Sequence, residues 1–133
     1  MSMSRSNAPA QKRLPWTGSL EVDATTIVDN ETYAIKDLPL RDERGVIQYT
    51  VSVTSLNPRR STVGHSHGAY DEVYTFTEGQ GLMNVDGNPF FVKPGDHIYI
   101  GKGKWHQVTN TEPEDNLIFI CYYPGEIKRE HLK

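Results

Sequence analysis

His65-Ser66-His67-Gly68-Ala69-Tyr70-Asp71-Glu72-Val73-Tyr74-Thr75-Phe76-Thr77-Glu78-Gly79 is the stretch on which the reading of this chain turns. In an extended strand side chains repeat every two residues, so His65 and His67 point to one side. Glu72 opens a β-rich run, Glu72 to Thr77, in which Glu72, Tyr74 and Phe76 share a face and Asp71 points the other way. A further histidine follows in Trp105-His106-Gln107-Val108. Three imidazoles and one carboxylate, His65, His67, Glu72 and His106, form a mixed nitrogen and oxygen donor set. Such a set suits one divalent first-row transition ion (iron, manganese, nickel, zinc, cobalt or copper) rather than calcium or magnesium. Four protein donors leave one or two positions open on a five- or six-coordinate ion, as a catalytic site requires.

Working outward from these donors, the chain reads as short strands divided by turn residues, with no convincing helix. Tyr33-Ala34-Ile35 comes first and ends near Pro39. In Val46 to Leu56 the residues Ile47, Tyr49, Val51 and Val53 alternate with Gln48, Thr50, Ser52 and Thr54, the pattern of a half-buried strand. Asn57-Pro58-Arg59-Arg60 breaks it, and Glu78-Gly79-Gln80-Gly81 marks a turn after Thr77. Leu82 to Val85 runs into Asp86-Gly87, a pair suited to a type I′ hairpin because both residues tolerate positive φ. Phe90 to Val92, His97 to Ile100, Trp105 to Thr109 and Leu117 to Tyr123 complete the set. Eight or more short, evenly spaced strands predict an all-β single domain closed as a barrel or jelly roll.

The 133 residues suffice for one domain with a real core. A flexible leader is expected over residues 1–20, the barrel over 21–125 and a charged tail over 126–133. The net charge of −3 is mild and well mixed, so no basic stripe points to nucleic acid. No apolar run approaches the roughly 20 residues that span a bilayer. The lone Cys121 excludes an internal disulfide and makes a reducing cytoplasm the simplest location. Lying in an apolar run, Cys121 reads as a small core residue rather than a nucleophile.

His65-x-His67, Glu72 and Gly79, followed by Gly95, Gly101-Lys102-Gly103, His106 and Asn110, resemble the two motifs of the cupin superfamily. Arg59 stands where the first motif has a glycine, and Gly101 where the second has a proline, which predicts a looser turn there. The resemblance covers roughly residues 45–123 and implies a cupin-type jelly-roll barrel with His65, His67, Glu72 and His106 as metal ligands. A weaker likeness, carried by Thr62 to His67 and by Phe119 to Pro124, is to the cupin-type archaeal phosphoglucose isomerases. In those enzymes the segment between the second histidine and the glutamate is longer than the four residues here.

That likeness implies a metal-dependent isomerisation of a sugar or sugar phosphate through an enediolate, with Glu72 as the catalytic base. Thr62, Tyr74, Tyr99 and Lys102 are the expected substrate contacts, Lys102 through a phosphate or carboxylate if it gathers with Arg59, Arg60 and Lys104 at the barrel mouth. The same ligands also support an iron-dependent dioxygenase on a small organic substrate, or a non-catalytic ligand-binding or sensor cupin. The expected partners are a small-molecule substrate and a second copy in a homodimer paired through Thr25 to Leu40. No nucleic acid and no membrane are expected. Trp105, next to a ligand in a strand, should face outward, and His97 should be a structural or surface histidine.

Overall fold

The computed structural model describes residues 14, 16–66 and 68–126. Most of the expected leader, His67 and nearly all of the expected charged tail lie outside the described residues. Among the described residues there are nine strands and no helix: β1 (Thr25–Asp29), β2 (Tyr33–Arg41), β3 (Ile47–Leu56), β4 (Glu72–Glu78), β5 (Gly81–Val85), β6 (Asn88–Val92), β7 (His97–Ile100), β8 (His106–Asn110) and β9 (Leu117–Pro124). None of the described segments is a helix long and apolar enough to cross a membrane. A six-stranded sheet in the order β1-β2-β3-β9-β4-β7 faces a three-stranded sheet in the order β6-β5-β8. Isolated bridges Ser61↔Thr109 and His65↔His106 add the segment after β3 to the free side of β8. All pairings are antiparallel, and the two sheets form the jelly roll that the strand spacing predicted.

The turns follow from local chemistry. Asp86 (φ 50°) and Gly87 (φ 83°) make the type I′ turn between β5 and β6. After β3 the chain reverses at Asn57-Pro58-Arg59-Arg60, closed by Arg60 N–H donating to the Asn57 carbonyl at 3.2 Å. Pro58 presets the first central φ and Arg59 takes the second at +62°, a position where glycine is the usual occupant. The absent motif glycine is therefore missed by the backbone. Gly79, by contrast, is required twice over: its φ is +79°, and a Cβ there would stand 2.4 Å from the Asn116 carbonyl oxygen.

β1 escaped the sequence reading because Thr25-Thr26-Ile27-Val28-Asp29 has little apolar alternation and lies almost wholly exposed at a sheet edge. β2 runs through Pro39 to Arg41 because β1 pairs only as far as Asp37, so Pro39 has a neighbouring strand on one side alone. The main correction concerns β3. Its period of two is observed, but Thr50, Ser52, Thr54 and Leu56 face inward, while Tyr49 is 53% exposed and Val51 and Val53 lie on the outer face. The inward rows are fixed by register, Asp37 beside Ser52, Ser52 beside Cys121, and Cys121 beside Tyr74.

Below these polar rows the core is apolar, with Leu56, Phe76, Met83, Val92, Val108, Leu117 and Phe119 nearly inaccessible. Phe119 stacks on Tyr74 at 5.4 Å and meets Phe76 at 5.3 Å between ring centres. Each such aromatic contributes roughly 1.5–3 kcal/mol by leaving water.

Arg59→Gly should stabilise the fold by about 0.5–1 kcal/mol, read as a higher urea midpoint at unchanged slope. The left-handed conformation costs a side-chain-bearing residue roughly 1–2 kcal/mol, and the greater chain entropy of glycine offsets part of the gain. An unchanged or lowered midpoint would show that the turn is not strained at Arg59.

Candidate metal centre

The three described donors come from both sheets. Glu72 is the first residue of β4, in the six-stranded sheet, and is paired with Ile100. His106 is the first residue of β8, in the other sheet, and is paired with Val85. His65 lies beside His106, joined by two backbone hydrogen bonds: His65 N–H to the His106 carbonyl at 3.1 Å, and His106 N–H to the His65 carbonyl at 2.9 Å. The two rings lie 4.4 Å apart between centres. One donor atom from each of His65, Glu72 and His106 falls within 4.8 Å of the others. Glu72 and His106 are buried, at 2% and 1% exposure, and His65 is half-buried.

Each histidine is oriented by the carbonyl two residues before it. His65 Nδ1 lies 2.9 Å from the Val63 oxygen, and His106 Nδ1 lies 3.0 Å from the Lys104 oxygen. A carbonyl only accepts, so both Nδ1 atoms carry the proton, and in the neutral rings the Nε2 lone pairs are left for a ligand bond. His106 Nε2 then faces Glu72 Oε1 at 3.4 Å. Two acceptors brought so close in a buried place require positive charge between them, supplied by a proton on the imidazole or by a metal ion. The donor set, two imidazole Nε2 atoms and a carboxylate, fits a transition ion.

A further support starts at the hairpin turn. Asp86 accepts from Trp105 N–H at 2.8 Å through Oδ1, and its Oδ2 lies 3.4 Å from Lys104 Nζ. Its own N–H donates to the Trp105 carbonyl at 2.8 Å. Asp86 thus clamps the Lys104-Trp105 segment whose carbonyl orients His106. Trp105, 39% exposed and outward as expected, covers Gly64, where a Cβ would stand 2.1 Å from the indole.

Beside His65 a cavity of ≈ 30 Å³ enters the barrel between Thr54, Thr62, Tyr74, Cys121 and Tyr123. Burial pushes the Tyr74 hydroxyl well above the ordinary tyrosine range, with the neighbouring Cys121 and Glu72 adding to the shift. Tyr74 therefore stays a neutral hydrogen-bond donor.

A family model described as a cupin domain matches residues 52–123, more than half of the chain. The chain is a cupin. It is similar to an uncharacterised protein of Methanocaldococcus jannaschii, 40% identical over 63 residues, which cover 47% of this chain and 50% of that one. The match thus spans half the length of that relative. Among solved structures it resembles an RmlC-like cupin from Shewanella frigidimarina, with a TM-score of 0.66 at 16% identity, covering 86% of this chain and 94% of the other. It also resembles a predicted oxalate decarboxylase from Thermotoga maritima, with a TM-score of 0.60 at 20% identity, covering 80% and 95%.

In this cupin the structure brings together His65, Glu72 and His106 of the expected ligands; His67 lies outside the described residues. Thr62 lines the cavity, but its hydroxyl accepts from Val108 N–H at 3.0 Å and so also holds the segment against β8. Tyr74 faces the cavity. Tyr99 and Lys102, also expected at the site, are not brought to the cavity. Tyr99 is 67% exposed on the outer face of β7, because Ile100 takes the inward position opposite Glu72. Lys102 belongs to an exposed turn closed by Lys104 N–H to the Gly101 carbonyl at 3.2 Å, so Gly101 does not leave that turn open. Asp71 Oδ1 caps the turn by accepting from Lys102 N–H at 2.9 Å.

The four basic residues do not gather. Lys104 pairs with Asp86, while Arg60 is tied by its carbonyl to Asn110 at the far end of β8. His97 is exposed and bonded to Thr75 Oγ1 at 2.9 Å, the surface role expected of it. The sequence reading did not assign Tyr33, Thr54, Cys121 or Tyr123 to the site. For three of them the signal was strand parity: Cys121 and Tyr123 share a face with Phe119, and Thr54 lies beside Phe119 on that face in the β3–β9 register.

Two outcomes are expected. Asp86→Ala should weaken metal binding about 10–100-fold, as loss of an outer support does elsewhere. Asp86→Asn, which keeps the acceptor and tolerates the positive φ, should lose less. Isothermal titration with Zn²⁺ or Mn²⁺ reads both, and equal affinity in the alanine variant would remove Asp86 from the support.

The raised Tyr74 value gives the second. A phenol whose pKa is higher folded than unfolded contributes stability that is fully present below the unfolded value of about 10 and is lost as pH rises through the folded value. The wild type should therefore lose more stability than Tyr74→Phe in urea melts taken above pH ~10. Parallel losses in the two proteins would refute it.

Proposed function

We propose that this cupin is a metal-dependent enzyme acting on a small polar molecule, with isomerisation of a hydroxy-carbonyl compound such as a sugar as the leading reaction. The observation that carries the reading is the hydroxyl-lined cavity touching His65 beside the three-donor cluster. His65, Glu72 and His106 would hold the ion. A divalent ion bound there supplies Lewis-acid polarisation of a substrate carbonyl.

The rest of the chemistry belongs to the chain. In this reading Glu72, the buried first residue of β4, serves as the base when its carboxylate is released from the ion, taking a proton from the carbon next to a carbonyl and returning it to the neighbouring carbon. Tyr74, kept neutral, donates a hydrogen bond to a substrate oxygen and is too weak an acid to give up its proton. The apolar floor formed with Phe119 keeps bulk water from the proton in transit. No Lys or Arg lines the cavity, which favours an unphosphorylated substrate over a sugar phosphate.

A second reading is favoured by size. A cavity of ≈ 30 Å³ suits only a few water-sized groups, which supports an oxygen-dependent reaction of a compact substrate when the ion is ferrous iron. A non-catalytic ligand-binding or sensor cupin remains the outcome if neither chemistry is found.

Elemental analysis of the purified protein beside a His65→Ala/His106→Ala variant tests the common ground. About one equivalent of metal in the wild type and little in the variant is expected. The loaded protein is then given a panel of aldoses and ketoses, and separately small thiols, diketones and aromatic acids with oxygen uptake recorded. Glu72→Gln should lower isomerisation about 10²–10⁴-fold. Metal binding without turnover on either panel would sink the enzyme reading, and absence of metal after reconstitution with each ion would sink both.

A further inference from the structure

Thr54 puts a hydroxyl into an otherwise apolar row of the barrel interior. It faces inward from β3, paired with Ile35 of β2 and Phe119 of β9, and Phe119 is paired in turn with Phe76 of β4. Ile35, Thr54, Phe119 and Phe76 are 4%, 5%, 2% and 1% exposed. Valine has the shape of threonine and would complete this row without an oxygen. A hydroxyl taken out of water is costly unless it finds a partner. Two other threonines of this region have one: Thr50 Oγ1 donates to the Gly125 carbonyl at 2.8 Å, and Thr62 Oγ1 accepts from Val108 N–H at 3.0 Å. Among the described residues none hydrogen-bonds the Thr54 hydroxyl, and the little of Thr54 that stays accessible opens on the cavity beside His65.

The shape and chemistry of that cavity define the missing partner. Its ≈ 30 Å³ admits about two or three water-sized groups. His65, a donor of the metal cluster, and Thr54 line the same small space, with Ile35 and Phe119 beside Thr54. A molecule that puts a carbonyl or carboxylate oxygen on an ion held by the cluster thus has room for a short arm: two carbons against the apolar side chains and one oxygen at Thr54. A threonine hydroxyl both donates and accepts, as does the hydroxyl that would meet it.

We propose that Thr54 is a specificity-determining residue of this site, selecting hydroxy-carbonyl and hydroxy-acid molecules whose hydroxyl lies two carbons from the carbonyl carbon bound at the ion. The proposal deepens the reading above and rests on its metal cluster and cavity, not on turnover. A hydroxyl on the adjacent carbon turns back to the ion as a chelate and does not reach Thr54. A methyl group in place of the distal hydroxyl leaves the Thr54 hydroxyl buried and unpaired, and a site built to bond a hydroxyl rejects the analogue that lacks it.

The test is isothermal titration of the Zn²⁺-loaded full chain with 3-hydroxypropanoate and with butanoate. The two acids have equal numbers of non-hydrogen atoms and differ by a hydroxyl in place of a methyl group. The wild type should bind the hydroxy acid about tenfold more tightly. Thr54→Val should weaken the hydroxy acid about tenfold and leave butanoate no weaker, while Thr54→Ser, which keeps the hydroxyl, should keep the preference. Should Thr54→Val fail to fold, Thr54→Ala removes the same hydroxyl and is read in the same way. Equal affinity for the two acids in the wild type, a preference that survives in the folded valine or alanine variant, or no binding of either acid would overturn the proposal. So would an equal loss for both acids, since that marks a change of cavity shape rather than a lost bond. Sugar turnover without a Thr54-dependent preference would sink this proposal and leave the isomerase reading standing. The preference without turnover would do the reverse.

Discussion

Two backbone hydrogen bonds between His65 and His106 are the constraint from which the rest of the site follows. They close a long stretch of chain and set two imidazoles side by side on the same ladder position, each turned by the carbonyl two residues before it. Because both rings are anchored through Nδ1, both present Nε2 inward. Glu72 reaches that point from the opposite sheet, so the cluster joins the two halves of the jelly roll at one end. A buried carboxylate there would cost several kcal/mol without opposing charge, and an ion held by the three groups would also fasten the two sheets together.

Around this point the structure is organised for orientation rather than for ionic strength. The basic residues nearest in sequence, Lys102 and Lys104, belong to a turn that Asp71 and Asp86 tie down. What enters the barrel instead is a set of neutral donors, Tyr74 foremost, whose protonation burial secures. The only charge beside the cavity is therefore that of Glu72 and of an ion that the three donors would hold.

Much of this was legible in the sequence, for reasons that can be named. The spacing from His65 to Glu72 and on to His106 depends on strand period and turn chemistry, both local, and Asp86-Gly87 fixes its hairpin by backbone preference alone. Gly79 was legible for the same reason, since a close approach to Asn116 and a positive φ leave no choice of residue. Alternation in β3 gave the period but not the phase, because periodicity assumes that the apolar side is the buried one, and this sheet is apolar on its outer face as well. The same assumption drew Tyr99 toward the site and left Cys121 and Thr54 out of it. β1 was hidden by its composition: a polar edge strand needs no apolar face, so it leaves no pattern. Arg59 shows the converse case, a motif glycine replaced while its backbone conformation is retained.

The two faces of the large sheet cannot be tuned separately. Strand parity makes Glu72 and Val73 neighbours, as it does Cys121 and Tyr122, so each strand that places a polar group at the site places an apolar one outside. Filling the upper barrel with hydroxyls, a thiol and a carboxylate gives up apolar burial that a core of this size would otherwise contain, at roughly 25 cal/mol for each Å² not removed from water. The apolar surface still present lies on the outer face, and it contributes only when something covers it.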